Sequence, residues 1–325
     1  MTKPKIFVTR IIPDKGLDMV RNFCDVDLWG DELPPSRGEL MRRVQGVDGI
    51  LSLLTDRIDG EVMDAAGEGL KVISNHAVGF DNVDVAAATV RRIPVGNTPD
   101  VLTDATADFA FTLMMSAGRR VLEADRFVRQ GKWKTWSPLL LLGAELHGAT
   151  LGLAGFGRIG RAVAKRAMGF DMRVIYYDPN EPKPEPGIQA SRVDFETLLA
   201  ESDFLSLHTP LTADTRHLID SAALSKMKPT AVLVNTSRGP VVDTDALYDA
   251  LKEKRIFAAG LDVTEPEPLP ADHPLLTLEN VTVMPHIASA STRARDQMSW
   301  MAAQNLIAGL KGERLPNCVN PQVYK

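Results

Sequence analysis

The chain has 325 residues, of which 44% are hydrophobic and 24% charged, with a net charge of −5 and an isoelectric point near 5.7. At about 150 residues per domain, that length predicts two domains. The composition excludes a disordered or fibrous chain, and the acidic balance argues against a nucleic-acid partner. Two cysteines, Cys24 and Cys318, exclude a disulfide framework or a cysteine-rich zinc site. No apolar run approaches the roughly 20 residues that would span a membrane. The N-terminal stretch also lacks the apolar core of a signal peptide. The expectation is a soluble, cytoplasmic protein without a membrane partner.

Short runs rich in Val, Ile and Leu at 6–9, 26–29, 49–54, 72–75 and 93–97 read as strands. Amphipathic stretches at 17–22, 37–44 and 62–66 separate them. Short buried strands alternating with helices indicate parallel α/β units. Residues 102–130 lack strand alternation and read as a long helix, with a second after Gly118-Arg119-Arg120. A second series of strands follows at 150–154, 173–178, 204–208, 231–236, 258–263 and 281–284. Helices lie among them, including 159–168 and 244–253, the latter opened by Asp243 or Thr244 as N-cap. The Pro-rich run 181–187 reads as a rigid surface turn. The last helix covers 292–310 and is closed by Gly312. No repeat of solenoid period is present. The fold class is therefore α/β, with two doubly wound parallel-sheet domains. Crossings at Asn97-Thr98-Pro99 and at 286–292 would make the first domain discontinuous. It would comprise residues 1–100 and 288–325, with a Rossmann domain, 101–287, inserted.

The strongest local signal is Gly155-Phe156-Gly157-Arg158-Ile159-Gly160. It follows a strand and opens a helix, the context that a dinucleotide-binding loop requires. The first glycine permits the tight turn, the second lets the backbone approach a pyrophosphate, and the third lets helix and strand pack closely. Helix N–H groups and the positive dipole end then face the phosphates. The next strand ends in Asp178, at close to the expected spacing of about 20 residues. A carboxylate there accepts hydrogen bonds from ribose hydroxyls and repels a 2′-phosphate, so NAD(H) is favoured. Lys183 is the nearest possible phosphate partner and no Arg occurs before Arg192, which leaves NADP(H) open.

Three further stretches fall where strands should end at the carboxyl edge. In Asn235-Thr236-Ser237-Arg238-Gly239, the guanidinium of Arg238 can match a carboxylate bidentately, although an Arg there can equally be a surface ion-pair residue. In Glu265-Pro266-Glu267-Pro268, two prolines restrain Glu267, as they would in any stiff loop. In Met284-Pro285-His286-Ile287-Ala288-Ser289, His286 is a candidate acid/base. The other histidines (His76, His147, His208, His217 and His273) read as structural, with the His208 backbone facing the cofactor. No metal-ligand spacing, serine elbow or Walker loop occurs. Arg, Glu and His beside a dinucleotide suggest hydride transfer to a 2-oxo acid. Arg238 would bind the carboxylate, His286 with Glu267 would supply the proton, and the glycine loop would hold the nicotinamide coenzyme.

The order of these motifs resembles that of the D-isomer-specific 2-hydroxyacid dehydrogenases over essentially the whole chain. Within them it looks most like the glyoxylate/hydroxypyruvate reductases. The resemblance rests on Val95-Gly96-Asn97-Thr98-Pro99-Asp100-Val101-Leu102-Thr103-Asp104, on residues 235–243, 260–270 and 285–291, and on His273-Pro274-Leu275-Leu276 and 306–313. It implies a flavodoxin-like substrate domain around the inserted Rossmann domain, and catalytic Arg238, Glu267 and His286. It implies substrate contacts at Leu54, at the Val78-Gly79 backbone, at Arg238 and Ser289, and at Trp136, which in glyoxylate reductases reaches the neighbouring subunit's site. Cofactor contacts would fall at Thr106, Gly155, Phe156, Gly157, Arg158, Ile159, Gly160, Asp178, His208, Thr209, Pro210, Thr236, Ser237 and Asp262. It further implies a homodimer built through residues 102–146.

Three departures stand out. Ala288 replaces a usual Gly and narrows the space beside the nicotinamide. Asp178 replaces the NADPH-selecting pattern of animal-type glyoxylate reductases. His76-Ala77 differs near the carboxylate grip and leaves substrate size open. The expected reaction is reduction of glyoxylate and hydroxypyruvate with NADH. The alternatives are 2-ketogluconate, pyruvate or 3-phosphoglycerate as substrate, a formate-like or phosphite-like oxidation and, from another class, an NAD(H)-sensing scaffold of the corepressor kind.

Overall fold

The computed structural model describes residues 3–180 and 186–325. Most of the Pro-rich run 181–187, including Lys183, lies outside the described residues. The chain divides into two compact units, Met1–Leu102 with Ala290–Lys325, and Thr103–Ser289.

The first unit opens with β1 (Lys5–Val8), α1 (Asp14–Phe23), β2 (Asp25–Leu28), α2 (Arg37–Arg43), β3 (Gly49–Ser52), α3 (Gly60–Ala66), β4 (Val72–Asn75), α4 (Val85–Val90) and β5 (Val95–Gly96). The strands form a parallel sheet in the order β2-β1-β3-β4-β5. Both β3 and β4 are buried along their whole length, as expected of parallel strands covered on two faces. Ser36, Asp59 and Asp84 start α2, α3 and α4, each side chain accepting an amide three residues on. Two expected strands are shorter than their apolar runs. β3 stops at Ser52 because the Leu53 N–H turns to the Asp56 carboxylate, 2.8 Å away. β5 starts late because the Ile93 N–H closes the end of α4 on Ala88 O and Pro94 has no N–H to give.

The second unit contains α5 (Thr103–Gly118), α6 (Val121–Arg129), β6 (Thr150–Ala154), α7 (Arg158–Ala167), β7 (Arg173–Tyr177), β8 (Ser191–Arg192), α8 (Phe195–Glu201), β9 (Phe204–Leu207), α9 (Ser221–Lys226), β10 (Val232–Asn235), α10 (Thr244–Lys252), β11 (Ala258–Leu261) and β12 (Val281–Val283). All seven strands run parallel in the order β12-β11-β10-β9-β6-β7-β8. Chain order reverses at β6, so the crevice beyond its carboxyl end is the place where such sheets bind ligands. Strand alternation feeds two cores. Leu205, Leu207 and Leu233 face one layer, while Phe204, Val232 and Val234 face the other, with Leu113 and Met114 of α5.

The chain returns to the first unit with α11 (Thr292–Leu310). Ser74 Oγ in β4 donates to Ala302 O at 2.8 Å. Asn305 donates to Asn97 O at 2.9 Å and accepts the Asn317 N–H at 3.0 Å. Asn320 accepts the Val95 N–H at 2.8 Å and donates to Ile93 O at 2.9 Å. These buried carboxamides fasten the tail to β5.

His76, one residue past β4, is 3% exposed, and neither ring nitrogen has a hydrogen-bond partner among the described residues. Burial, and then the charge of Arg295, pulls its pKa down to about 4. The folded state therefore refuses a proton that the unfolded chain takes up between pH 6.5 and 4. Stability is fully present above that window and is lost as pH falls through it, by about 3 kcal/mol in total. His76→Phe is expected to flatten the dependence of unfolding free energy on pH between 7 and 5. Urea titrations of both proteins at the two pH values check this, and equal slopes would refute it.

Candidate active site

The loop from β6 into α7 carries the glycine motif. Gly155 has φ +93°, and a Cβ there would fall 2.7 Å from His208 O, so no larger side chain fits between the carboxyl ends of β6 and β9. A Cβ on exposed Gly157 would meet nothing within 4 Å, leaving that stretch of backbone open to a ligand. Gly157 caps α7 without a side-chain hydrogen bond, which leaves the N–H groups of the first turn for an anion. Arg158 is exposed, Ile159 is half-buried and Phe156 is buried, its ring stacked on Tyr176 with centroids 3.9 Å apart.

Asp178 follows β7 directly. Its carboxylate accepts the Phe156 N–H at 2.8 Å and the Asn180 N–H at 2.9 Å. Both oxygens are thereby oriented, and each keeps acceptor capacity. Past β9 and β10, the Oγ1 atoms of Thr209 and Thr236 are buried with no hydrogen-bond partner among the described residues. Orphaned hydroxyls are costly unless a ligand satisfies them. The His208 ring bonds Ser206 Oγ through Nε2 at 2.9 Å, and burial pushes its pKa down to about 3. Pro210 is exposed beside it, and Thr106 is buried in the first turn of α5. Ser237 is spent on Asn235 Oδ1, at 3.0 Å from N and 2.8 Å from Oγ. The open cradle, the free helix end and the two orphaned hydroxyls fit a dinucleotide coenzyme.

The chemistry-bearing side chains gather past β10, β11 and β12. His286 Nδ1 lies 2.6 Å from Glu267 Oε1. The second Glu267 oxygen accepts the Thr264 N–H at 3.2 Å. Burial raises the pKa of the Glu267 carboxyl, but the hydrogen bond and charge of His286, the Thr264 amide and the Arg238 charge bring it below the ordinary value. Arg238 follows β10 and donates from Nη1 to Ser237 O at 2.8 Å. Its loop reaches the Glu267 loop because residue 239 is glycine: a Cβ there would fall 1.8 Å from Thr264 O.

His286 has φ +56°, a left-handed conformation that costs a non-glycine residue roughly 1 kcal/mol. Asp262 holds it there. Its carbonyl accepts the His286 N–H at 2.9 Å, and its carboxylate accepts the N–H groups of Ile287 at 2.8 Å and Ala288 at 2.7 Å. Burial raises the pKa of this carboxyl, and the two amides oppose that shift. Asp262 therefore clamps the His286 loop, a role that no local pattern announced. Ala288 is buried and Ser289 is half-buried at the end of this loop.

In the first unit, Val78 and Gly79 sit just past β4 and Leu54 just past β3. Asn97 Nδ2 donates to Val78 O at 2.8 Å, and Asn75 Nδ2 to Gly79 O at 3.0 Å. Asn82 ties the same loop to Leu53 O and Asp56 O, both at 2.9 Å. No carbonyl among the described residues takes the Val78 or Gly79 N–H, which leaves two main-chain donors on a loop braced through its carbonyls. The bracing carboxamides of Asn75 and Asn97 were missed in the sequence; the available signal was a carboxamide ending one strand and following another. Trp136 is not drawn into the cluster. It is 78% exposed, on the segment after α6.

The remaining histidines are engaged elsewhere. His147 pairs with Asp171 at 3.4 Å, His217 bonds Glu265 at 2.9 Å, and His273 Nδ1 accepts the Leu275 N–H at 3.2 Å. Among the described residues, no group of His, Cys, Asp and Glu could hold a metal ion, and no helix is long and apolar enough to cross a membrane.

A parallel sheet with a glycine loop at its switch point, and a paired His and Glu at the same edge, defines a nicotinamide-dependent dehydrogenase. Residues 111–288 match the family model "D-isomer specific 2-hydroxyacid dehydrogenase, NAD binding domain", and the chain belongs to that family. It is 55% identical to a glyoxylate reductase of Korarchaeum cryptofilum over 99% of this chain and 98% of the relative. Among solved structures it is similar to the TT0316 protein of Thermus thermophilus, with TM-score 0.91 and 48% identity, covering 97% of this chain and 99% of that one. It is also similar to an NADPH-dependent glyoxylate/hydroxypyruvate reductase of Sinorhizobium meliloti solved with NADP and malonate. There the TM-score is 0.83 and the identity 32%, over 99% and 98% of the two chains.

Proposed function

We propose that the protein reduces glyoxylate to glycolate, and after it hydroxypyruvate to the D-2-hydroxy acid, with NADH as the favoured coenzyme. The observation that carries this reading is the 2.6 Å contact of His286 with Glu267, on a loop that Gly239 lets the Arg238 loop approach closely. Bound nicotinamide supplies the hydride. Arg238 binds the substrate carboxylate and polarises the neighbouring carbonyl. In the first unit, the main-chain N–H groups of Val78 and Gly79 would also suit a carboxylate as donors. Glu267 accepts the hydrogen bond of His286 Nδ1–H, fixing the orientation of the ring. The other ring nitrogen, Nε2, then gives its proton to the developing alkoxide.

For the coenzyme, the glycine loop 155–160 would hold the pyrophosphate, and Thr209 and Thr236 would satisfy their hydroxyls on it. Asp178 would accept the ribose hydroxyls and disfavour a 2′-phosphate. Thr106, His208, Pro210, Ser237 and Asp262 would line the remaining wall. Small substrates follow from Trp136, placed by a second copy of the chain. Val121, Val128, Trp133, Trp136, Leu139 and Leu142 are all exposed apolar residues on one stretch, and a homodimer would cover them. The same reading places the protein in the cytoplasm, where Cys24 and Cys318 remain free thiols.

A spectrophotometric panel tests the assignment. NADH and NADPH are each paired with glyoxylate, hydroxypyruvate, pyruvate and 2-ketogluconate, after light scattering has established the mass. Glyoxylate with NADH is expected to give the highest kcat/KM, from a dimer. A preference for the sugar acid would overturn the role of Trp136, and strict use of NADPH would overturn that of Asp178. Coenzyme binding with negligible turnover of every oxo acid would favour the scaffold alternative.

A further inference from the structure

The Asp178 side of the coenzyme site has a second charged group, brought there by an element too short to stand out in the sequence. β8 has two residues and lies at the edge of the sheet, with Tyr176 opposite Arg192. From that register the Arg192 side chain runs toward the carboxyl end of β7. Its Nη2 donates to Asp178 O at 2.8 Å and to Pro179 O at 3.4 Å. The guanidinium is thus held on the backbone of the very residue whose carboxylate would face the ribose, although 14 positions separate the two.

The partners of Arg192 are main-chain carbonyls. Its charge is not cancelled by an ion pair among the described residues, while the Asp178 carboxylate is oriented by the Phe156 and Asn180 amides. A cation and a carboxylate are thus both present at this edge, with no ion pair between them among the described residues. A phosphate monoester is a far stronger partner for a guanidinium than a carbonyl is, because both members are charged and the fork can bind two oxygens.

We propose that Arg192 is a specificity-determining residue that offers a cation to the 2′-phosphate of NADPH. The preference for NADH then reflects a balance between one carboxylate and one guanidinium, rather than exclusion of NADPH. This inference rests on the reading that the adenosine ribose lies at Asp178. Arg192 is exposed, so salt screens its contribution and the effect is moderate.

The test is equilibrium binding, followed by quenching of protein fluorescence, with NADH, NADPH, 5′-AMP and 2′,5′-ADP as ligands. Arg192→Gln is expected to weaken NADPH and 2′,5′-ADP by about five- to tenfold, with NADH and 5′-AMP unchanged. Arg192→Lys should recover part of the loss. Asp178→Asn should strengthen NADPH by about tenfold or more, and the double variant should lose most of that gain. If Asp178→Asn shifts the preference but Arg192→Gln does not, Arg192 has no part in it and the ribose placement stands. Equal weakening of all four ligands by Arg192→Gln would also overturn the proposal, leaving Arg192 as a brace for β7. If neither variant alters the preference between the coenzymes, the ribose does not lie at Asp178 and both readings fall.

Discussion

Replacing His286 by Ala is expected to lower kcat for glyoxylate reduction by roughly 10²–10⁴, with the dissociation constant for NADH unchanged. The separation of the two effects follows from how the loop is held. His286 is kept in its left-handed conformation by hydrogen bonds from its own N–H and from Ile287 and Ala288 to Asp262. None of these uses the imidazole, so the loop survives loss of the ring. What disappears is the proton donor, and the developing alkoxide must then take its proton from water. Glu267→Gln removes the charge but keeps the shape. In that variant kcat should fall by about tenfold or more, because the ring loses the carboxylate that holds Nδ1 at 2.6 Å. Stopped-flow turnover of the two variants checks both statements. Undiminished turnover of either variant would remove the acid/base assignment.

Arg238→Ala should cost about 10²–10³ in kcat/KM, the usual loss when one partner of a hydrogen-bonded charge pair is removed. Arg238→Lys should recover little of it. One arm of the guanidinium is tied to Ser237 O at 2.8 Å, which orients the planar fork, and a flexible ammonium cannot reproduce that orientation. The loss should appear in KM as well as kcat, since the carboxylate is bound in the ground state and the carbonyl is polarised in the transition state. Loss of the Arg charge also lets the Glu267 carboxyl rise in pKa, so the acid limb of the profile should move to higher pH. Steady-state kinetics with added guanidinium, which should partly rescue the Ala variant, provide the check. A Lys variant with native kcat/KM would show that Arg238 does not grip the carboxylate as a fork.

The longer elements were legible because their signals are local. β4, β6 and α11 fall at the expected bounds. The break at Gly118-Arg119-Arg120 separates α5 from α6 as the residues suggested. The short helices α4, α8 and α9 have six or seven residues and were not singled out in the sequence. β8 has two residues and no readable pattern at all. The loops past β10, β11 and β12 could be picked out because Arg238, Glu267 and His286 each stand just after a buried apolar run beside Gly or Pro. The bracing of the Val78-Gly79 loop by Asn75 and Asn97 could not, since a carboxamide at a strand end is ordinary in any sequence.

By itself the sequence determined the parallel α/β class, the glycine loop with its acid, and the order in which reactive side chains follow their strands. Those are properties of near neighbours along the chain, where spacing and apolar alternation act directly. The tertiary structure alone decided that Glu267 meets His286, that Asp262 clamps the loop carrying His286, and that Arg192 lies on the backbone of Asp178. Each of these contacts joins residues carried by different strands. Their distances are set by strand register and by how closely backbones approach, as at Gly239 against Thr264, and register is fixed by which face of each strand is buried.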